Sequence, residues 1–194
     1  SDASALLAAE VGASAGFLRI VDFESTRRQI QVYRDRAKAC GWTPTADDVM
    51  IGMNCCIAPT YEEAKEILEN GQKYFFGVLG GGIRTAQQLV IQKTRYFKDA
   101  GAADKFKKKT AIQREVTFDE RVERGLLVCG TPEMAIDQIK RIHSELGNGR
   151  MNLSVKIGNI ADHQVTRTLD YLRDIVFPAV RSLGEDTDPA QAAE

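Results

Sequence analysis

The chain has 194 residues, of which 43% are hydrophobic and 27% are charged, and its formal net charge is -1. This composition is typical of a folded globular protein with one hydrophobic core. A net charge near zero provides no overall field that would attract nucleic acid or an anionic membrane, and no apolar run reaches the ~20 residues of a membrane-spanning helix. We therefore expect neither nucleic acid nor a membrane among the partners.

The four cysteines, Cys40, Cys55, Cys56 and Cys129, do not have the C-x-x-C spacing of redox motifs or zinc sites. We interpret them as reduced thiols of a cytoplasmic protein, each acting as a small buried hydrophobic residue. Cys55 and Cys56 are adjacent, so a strand would point them to opposite faces. No group of His, Cys and carboxylate residues has ligand spacing, so the sequence predicts no metal site.

Three segments are rich in apolar and β-branched residues, at 16–21, 49–58 and 152–157. Helical patterns separate them, and this alternation indicates a parallel sheet with helical crossovers. We predict three adjacent parallel strands in this order. Their composition predicts that both faces of the sheet are covered.

Helix start signals lie between these strands. The predicted first residues of four helices are capping types, namely Ser25, Thr60, Thr131 and Asp162. Glu63 would complete a capping box with Thr60, and Pro132 suits the first turn after Thr131. Gly41 would end the helix that begins near Ser25. Each helix has an apolar stripe that would pack on the sheet.

Residues 80–124 do not follow the alternation of strands and helices, and we predict that they form an insertion. Three consecutive glycines at 80–82 permit unusual backbone angles, and residues 100–109 are polar and small. The segment is either a lid over an active site or a solvated surface excursion, and its lysine-rich part could attract a phosphate. We expect residues 100–109 to show the weakest amide-exchange protection of any internal segment. The tail, 184–194, is predicted to be mobile.

Polar residues near the predicted strand and helix ends are the candidate site residues. Ser1 and Ser4 lie at the first turn of a helix, where they would either cap it or help bind an anion. Arg19 lies near the carboxyl end of the first strand, where barrel enzymes place their active sites. It could instead form a salt bridge with Asp22 or Glu24.

Asn159 follows the last strand and would either orient a substrate or cap its loop. His143 and His163 belong to the outer helices, so we expect both to be exposed. These residues form no recognisable set of acid, base and nucleophile. The catalytic residues therefore remain unknown at the level of sequence.

Several short motifs follow one another in an order that points to a family. They are the helix start at 1–10, the run Ala-Pro-Thr-Tyr-Glu-Glu-Ala at 58–64, Gly-Thr-Pro-Glu at 130–133, Lys-Ile-Gly at 156–158 and Val-Phe-Pro-Ala-Val-Arg at 176–181. In this order they resemble the carboxyl-terminal part of a luciferase-like flavin-dependent monooxygenase.

The resemblance implies an α/β fold, a partial (β/α)8 TIM barrel with strands six to eight over residues 1–183. Three strands cannot close an eight-stranded barrel, so the chain would be incomplete by itself and inactive. The expected partner is the missing amino-terminal half of the barrel, and a homo-oligomer is also expected.

The resemblance further implies an enzyme that uses reduced FMN, supplied by a flavin reductase, to oxygenate a small organic substrate with O2. Ser1 and Ser4 would receive the flavin phosphate, Arg19 would line the flavin, and Asn159 would face the substrate. A deazaflavin (F420)-dependent oxidoreductase would use the same barrel and is the closest competing interpretation. The chain could also belong to a non-catalytic flavin-binding protein or form a plain interaction module.

Overall fold

The computed structural model describes residues 2–18, 20, 22–80, 82, 86 and 116–184, and every structural statement below refers to these residues. Ser1, Arg19, the polar segment 100–109 and the tail beyond 184 lie outside them. The expectations for these residues therefore stay predictions. None of the described helices is long and apolar enough to cross a membrane.

Helices and strands alternate along the chain. The first half contains α1 (Asp2–Glu10), β1 (Ala15–Leu18), α2 (Phe23–Ala39), a 3-10 turn (Ala46–Asp48), β2 (Val49–Ile57) and α3 (Tyr61–Tyr74), which continues as a π-helical turn (Phe75–Leu79). The second half contains α4 (Phe118–Glu123), β3 (Val128–Gly130), α5 (Pro132–Leu146), β4 (Arg150–Ser154) and α6 (Asp162–Tyr171). A π-helical turn (Leu172–Val176), α7 (Phe177–Val180) and a 3-10 turn (Arg181–Gly184) follow α6.

The sheet is built around β2. Strand β1 pairs with it in parallel from Ala15 opposite Val49, and β4 pairs with it in parallel from Arg150 opposite Met50 to Ser154 opposite Asn54. These pairings confirm three parallel strands in the predicted order. The predicted bounds of the last strand, 152–157, are wrong, because β4 begins at Arg150 and ends at Ser154. The chain is thus an α/β protein with a parallel sheet.

A fourth strand, β3, was not predicted. Its residues pair in parallel with the carboxyl end of β2, with Cys129 opposite Cys56. Three residues are too few to show the alternation by which strands are recognised, and the Gly-Thr-Pro-Glu signal directly after them marks the start of α5.

One face of the sheet packs against helices α1, α2 and α5 and against the turn after α6. The buried residues of β2 on this face are Val49, Ile51, Met53, Cys55 and Ile57. The prediction that both faces are covered is wrong for β1 and β4. Their exposed residues on the other face are Gly16, Leu18, Arg150, Asn152 and Ser154, because none of the described helices packs there.

A second, smaller core lies at the carboxyl end of β2. Cys56 and Ala58 pack there with residues of α3, α4 and β3. Cys55 and Cys56 belong to different cores, which confirms that they point to opposite faces. Phe118 and Val122 of α4 are buried in this core, so the last part of the predicted insertion is docked on the sheet end.

Two of the four predicted helix caps are confirmed. The hydroxyl of Thr60 accepts a hydrogen bond from the Glu63 amide at 3.2 Å, and the hydroxyl of Thr131 accepts one from the Met134 amide at 3.4 Å. The Glu63 carboxylate does not close a capping box, because it accepts a hydrogen bond from Arg167 at 2.6 Å.

The other two caps were assigned to the wrong residue. Asp22 is the N-cap residue of α2, and its carboxylate accepts a hydrogen bond from the Ser25 amide at 2.6 Å, so Ser25 is inside the first turn. Ala161 is the N-cap residue of α6, and its amide donates to Oε1 of Gln164 at 3.1 Å. The carboxylate of Asp162 is instead occupied by an ion pair with Lys156.

All four cysteines are free thiols. Three are buried, as predicted, but Cys40 is exposed at the end of α2, which contradicts the prediction for that residue.

Two side chains complete the backbone hydrogen bonds at the carboxyl end of the sheet. Gln138 of α5 accepts from the Cys129 amide and donates to the Cys129 carbonyl, both at 2.9 Å. The Thr168 hydroxyl likewise bonds the amide and the carbonyl of Ile57, both at 3.2 Å. Among the described residues, β1 and β4 pair only with β2, so their outer edges have no strand partner.

We predict that Thr168→Val destabilises the chain by about 2 to 4 kcal/mol, because it leaves the buried amide and carbonyl of Ile57 without their partner. Urea denaturation followed by circular dichroism measures the change. Thr166→Val is the matched control, since the Thr166 hydroxyl bonds only the exposed Asp162 carbonyl. An equal loss of stability in both variants would contradict the role of Thr168.

Candidate functional site

The candidate site lies at the carboxyl edge of the sheet. Strands β1, β2 and β4 are parallel, so their carboxyl ends meet at one edge, where barrel enzymes carry out their chemistry. Helix α2 begins directly after β1, and α3 begins directly after β2. The edge is therefore formed by strand ends and helix starts.

Helix α1 also begins at this edge. It runs in the same direction as α2, because Asp2 accepts two hydrogen bonds from Arg28 at 3.1 and 3.0 Å while Glu10 pairs with Arg36 at 2.6 Å. Two ion pairs, one near each end of α1, thus fix it against α2. The first turn of α1 lies beside the carboxyl end of β1.

This helix start has features that favour the binding of an anion. The first amides of a helix lack carbonyl partners within it and favour an anion. Ser4 is exposed in this turn, and Ser1 precedes it outside the described residues. The negative charge of Asp2 would repel a phosphate, but Arg28 neutralises it. The hydrogen bonds that Arg28 donates to Asp2 raise the pKa of the Arg28 guanidinium.

The uncovered face of the sheet adds polar groups that the sequence analysis did not single out. Asn54 and Ser154 stand opposite each other on β2 and β4, and Asn152 stands opposite Gly52. A Cβ atom at Gly52 would lie 2.2 Å from Leu18 Cδ2, so this glycine makes room for the Leu18 side chain on the same face.

A sequence signal for these residues exists. In β2 the odd positions from 49 to 57 are all apolar, whereas Gly52 and Asn54 stand at even positions. A strand with one polar face would show this alternation.

Asn159 is exposed in the loop after β4. The loop is pressed onto α3, since a Cβ atom at Gly158 would lie 2.1 Å from the Gly71 carbonyl oxygen. Lys156 does not face the edge as a free cation, because it pairs with Asp162 at 2.6 Å and donates to the Ile160 carbonyl.

The candidate residues are not brought into one cluster. Ser4 belongs to the β1 side of the sheet and Asn159 to the β4 side, with β2 between them. At least two strand spacings, roughly 10 Å, therefore separate them. A ligand in contact with both would have to extend across the sheet edge.

The remaining reactive residue types are engaged elsewhere. His163 is exposed as predicted, but His143 is half-buried and its Nδ1 hydrogen-bonds the Asn148 carbonyl at 2.7 Å, so the prediction for His143 is wrong. Burial raises the pKa of the Cys129 thiol to about 12, so it stays protonated near neutral pH. Among the described residues there is no group of His, Cys, Asp and Glu that could hold a metal ion.

Comparison with known proteins identifies the family. Residues 1–148 match the family of luciferase-like monooxygenases, and the chain belongs to this family. The match confirms the resemblance seen in the sequence. No curated protein sequence matches the chain.

Solved structures show the same fold. The monooxygenase RslO1 from Streptomyces bottropensis superposes with a TM-score of 0.62 at 23% identity, and the match covers 92% of this chain and 45% of that chain. The oxygenating constituent of 3,6-diketocamphane monooxygenase from Pseudomonas putida, a type II Baeyer-Villiger monooxygenase in complex with FMN, gives a TM-score of 0.64 at 19% identity, with coverages of 90% and 45%.

Riboflavin lyase RcaE, solved with modified FMN and riboflavin, gives a TM-score of 0.52 at 18% identity, and the match covers 93% of this chain and 41% of that chain. The chain spans less than half the length of each of these neighbours. At such identities the likeness is one of fold.

We predict that Gly158→Ala destabilises the chain by more than about 2 kcal/mol, because it combines a backbone φ of 59° with a Cβ clash against Gly71. Chemical denaturation measures the loss. Gly12→Ala is the control, since Gly12 has a φ of 69° but nothing within 4 Å of the added Cβ, and it should cost only about 1 kcal/mol. Equal costs would show that the loop is not pressed onto α3.

Proposed function

We propose that this chain forms the carboxyl-terminal part of a (β/α)8 barrel in a flavin-dependent monooxygenase that oxygenates a small organic substrate with O2. The observation that carries the proposal is the family match over residues 1–148, which includes the helix start suited to a phosphate at the carboxyl edge of the sheet. Strands β1, β2 and β4 would be strands six, seven and eight of that barrel.

The open parts of the sheet support the barrel. The edges of β1 and β4 have no strand partner among the described residues, whereas side chains complete the backbone bonds at Cys129 and Ile57. Strand β1 has none of the charged residues or prolines that usually protect an exposed edge, and β4 has only Arg150, at its start. These edges and the uncovered face suit an amino-terminal half of the barrel that supplies the remaining strands.

A groove of about 750 Å³ beside β4 also supports an incomplete barrel. It lies on the helix-covered side, away from the carboxyl-edge site, and apolar residues such as Met151, Leu153, Leu172 and Val180 line much of it. Asn148, which is only 3% exposed, also lines it, and its Oδ1 has no hydrogen-bond partner. We assign the groove to contact with the next strand and helix of the barrel.

The proposed cofactor is reduced FMN, supplied by a flavin reductase. The amides at the start of α1, with Ser1 and Ser4, would hold its phosphate beside Arg28, and Arg19 would line the flavin. When bound, the reduced flavin supplies the electrons for the reaction of O2 with the substrate. Asn159 would orient the substrate from the β4 side, and the polar face with Asn54 and Ser154 would lie toward the barrel interior.

The two neighbours solved with FMN or modified FMN favour FMN over a deazaflavin. The absorption spectrum of the cofactor bound to the complete polypeptide tests this choice. A flavin spectrum with substrate-dependent O2 consumption is the expected result. A deazaflavin spectrum would identify an F420-dependent oxidoreductase, a flavin without O2 consumption would identify a non-catalytic flavin protein, and failure to bind either would contradict the proposal.

We predict that Ser1→Ala with Ser4→Ala weakens FMN binding to the complete polypeptide by about 1 to 3 kcal/mol, because hydrogen bonds to a charged phosphate are lost. Riboflavin, which has no phosphate, should bind both proteins equally. Ser14→Ala is the control, because the Ser14 hydroxyl bonds Asp48 near the amino end of the sheet. Fluorescence titration measures the dissociation constants, and equal FMN affinity in the double variant would remove these serines from the site.

The 194-residue chain by itself should be catalytically silent, since it supplies only part of the proposed barrel. Adding the amino-terminal half, in the same polypeptide or as a separate chain, should restore flavin binding. Sedimentation analysis of the complete protein would test the predicted homo-oligomer. Flavin-dependent substrate oxidation by the isolated chain as a monomer is the result that contradicts an incomplete barrel.

A further inference from the structure

Arg121 of α4 is held in place by neutral groups. Its Nη2 donates to the Oε1 of Gln72, which is only 5% exposed, and its guanidinium carbon lies 5.2 Å from the centre of the Phe118 ring. Its Nε is buried and has no hydrogen-bond partner. Among the described residues no carboxylate forms an ion pair with this side chain.

The surrounding carboxylates have cations of their own. Three carboxylates on α3 and α4 are engaged in the pairs Glu69–Lys73 (3.2 Å), Asp119–Lys65 (2.6 Å) and Glu120–Arg124 (3.8 Å). Glu69 adds only a Coulombic attraction to Arg121. The charge of Arg121 is therefore not compensated by a direct contact.

An uncompensated cation of this kind is costly. Burial lowers the pKa of the Arg121 guanidinium, which shows that desolvation outweighs the attraction of its neighbours. Such an arrangement is stabilised when an anion binds, and the planar guanidinium suits an oxyanion with two acceptor oxygens. The Nη1 of Arg121 donates to none of the described residues and is not among the buried polar atoms without a partner. It is therefore accessible and can donate a hydrogen bond to a bound oxyanion.

The position of Arg121 relates it to the candidate site. Its partner Gln72 follows Gly71, where an added Cβ would lie 2.7 Å from the Ile157 carbonyl oxygen and 2.7 Å from Ile160 Cγ1. Arg121 is therefore bonded to the segment of α3 that borders the loop containing Asn159, at the carboxyl edge of β4. The α1 start proposed for the flavin phosphate lies on the other side of β2.

We propose that Arg121, positioned by Gln72 and Phe118, binds an anionic group of the substrate: a carboxylate, phosphate or sulfonate. That the anion belongs to a substrate rests on the proposed function, whereas the anion site itself can be tested on this chain. The small organic substrate of the proposed reaction would therefore carry a negatively charged group.

The test uses inorganic phosphate as the probe. Phosphate in the tens of millimolar range, compared with sodium chloride of equal ionic strength, should raise the melting temperature of the 194-residue chain by a few degrees. Arg121→Gln should lose this rise, and calorimetric titration should show phosphate binding about tenfold weaker, since the charge-assisted bonds are removed. The control Arg124→Gln removes the same charge from the same helix and should keep the rise. A rise that persists in Arg121→Gln, or is absent from the unmodified chain, overturns the proposal.

Gln72→Glu provides a second variant in case Arg121→Gln does not fold. The substitution is nearly isosteric and gives Arg121 an internal carboxylate, so phosphate should no longer raise the melting temperature. A phosphate response equal to that of the unmodified chain would show that the anion binds elsewhere, and would overturn the proposal.

A flavin titration separates this inference from the proposed function. In the complete polypeptide, Arg121→Gln should leave the affinities for FMN and riboflavin unchanged, because the flavin phosphate is assigned to α1. Weaker FMN binding with unchanged riboflavin binding would transfer Arg121 to the flavin phosphate and overturn its assignment to the substrate. Phosphate binding at Arg121 in a polypeptide that binds no flavin would retain the anion site and contradict only the proposed function.

Discussion

The rest of the structure depends on the parallel pairing of β2 with strands on both sides. Parallel strands require crossover connections, and these bring the strand ends and the starts of α2 and α3 to one edge of the sheet. The ion pair between Asp2 and Arg28 adds the start of α1 to that edge. One geometric requirement thus gathers the groups from which a binding site can be made.

The backbone groups at the sheet edges differ in whether they have hydrogen-bond partners. Thr168 and Gln138 supply hydroxyl and amide groups where a neighbouring strand would otherwise bond Ile57 and Cys129. Strands β1 and β4 have no such substitutes among the described residues, and the face between them is uncovered. This contrast, together with a length less than half that of the structural neighbours, is the physical basis of the proposal that the chain is part of a larger barrel.

Charge is used in two ways at the carboxyl edge. At the start of α1 the carboxylate of Asp2 is neutralised, so the helix amides can attract an anion. Near α3 the guanidinium of Arg121 is held by an amide and an aromatic ring, and its charge lacks a direct partner among the described residues. The start of α1 lies on the β1 side of the sheet, whereas Arg121 is bonded to the segment of α3 that borders the loop after β4. This separation would suit the proposed flavin phosphate at the first position and the proposed charged substrate group at the second.

The sequence by itself determined the parallel strands β1, β2 and β4, the caps at Thr60 and Thr131 and the family, because apolar periodicity, capping residues and short motifs are local properties. Only the tertiary structure decided which face of the sheet is covered and which side chains meet. Thr168 and Ile57 are 111 residues apart, and Arg121 and Gln72 are 49 residues apart. Contacts over such separations follow from packing and have no local pattern, and for this reason the sequence did not point to Arg121. Asn54 does have a local signal, the alternation along β2, but its position opposite Ser154 is set by the strand pairing.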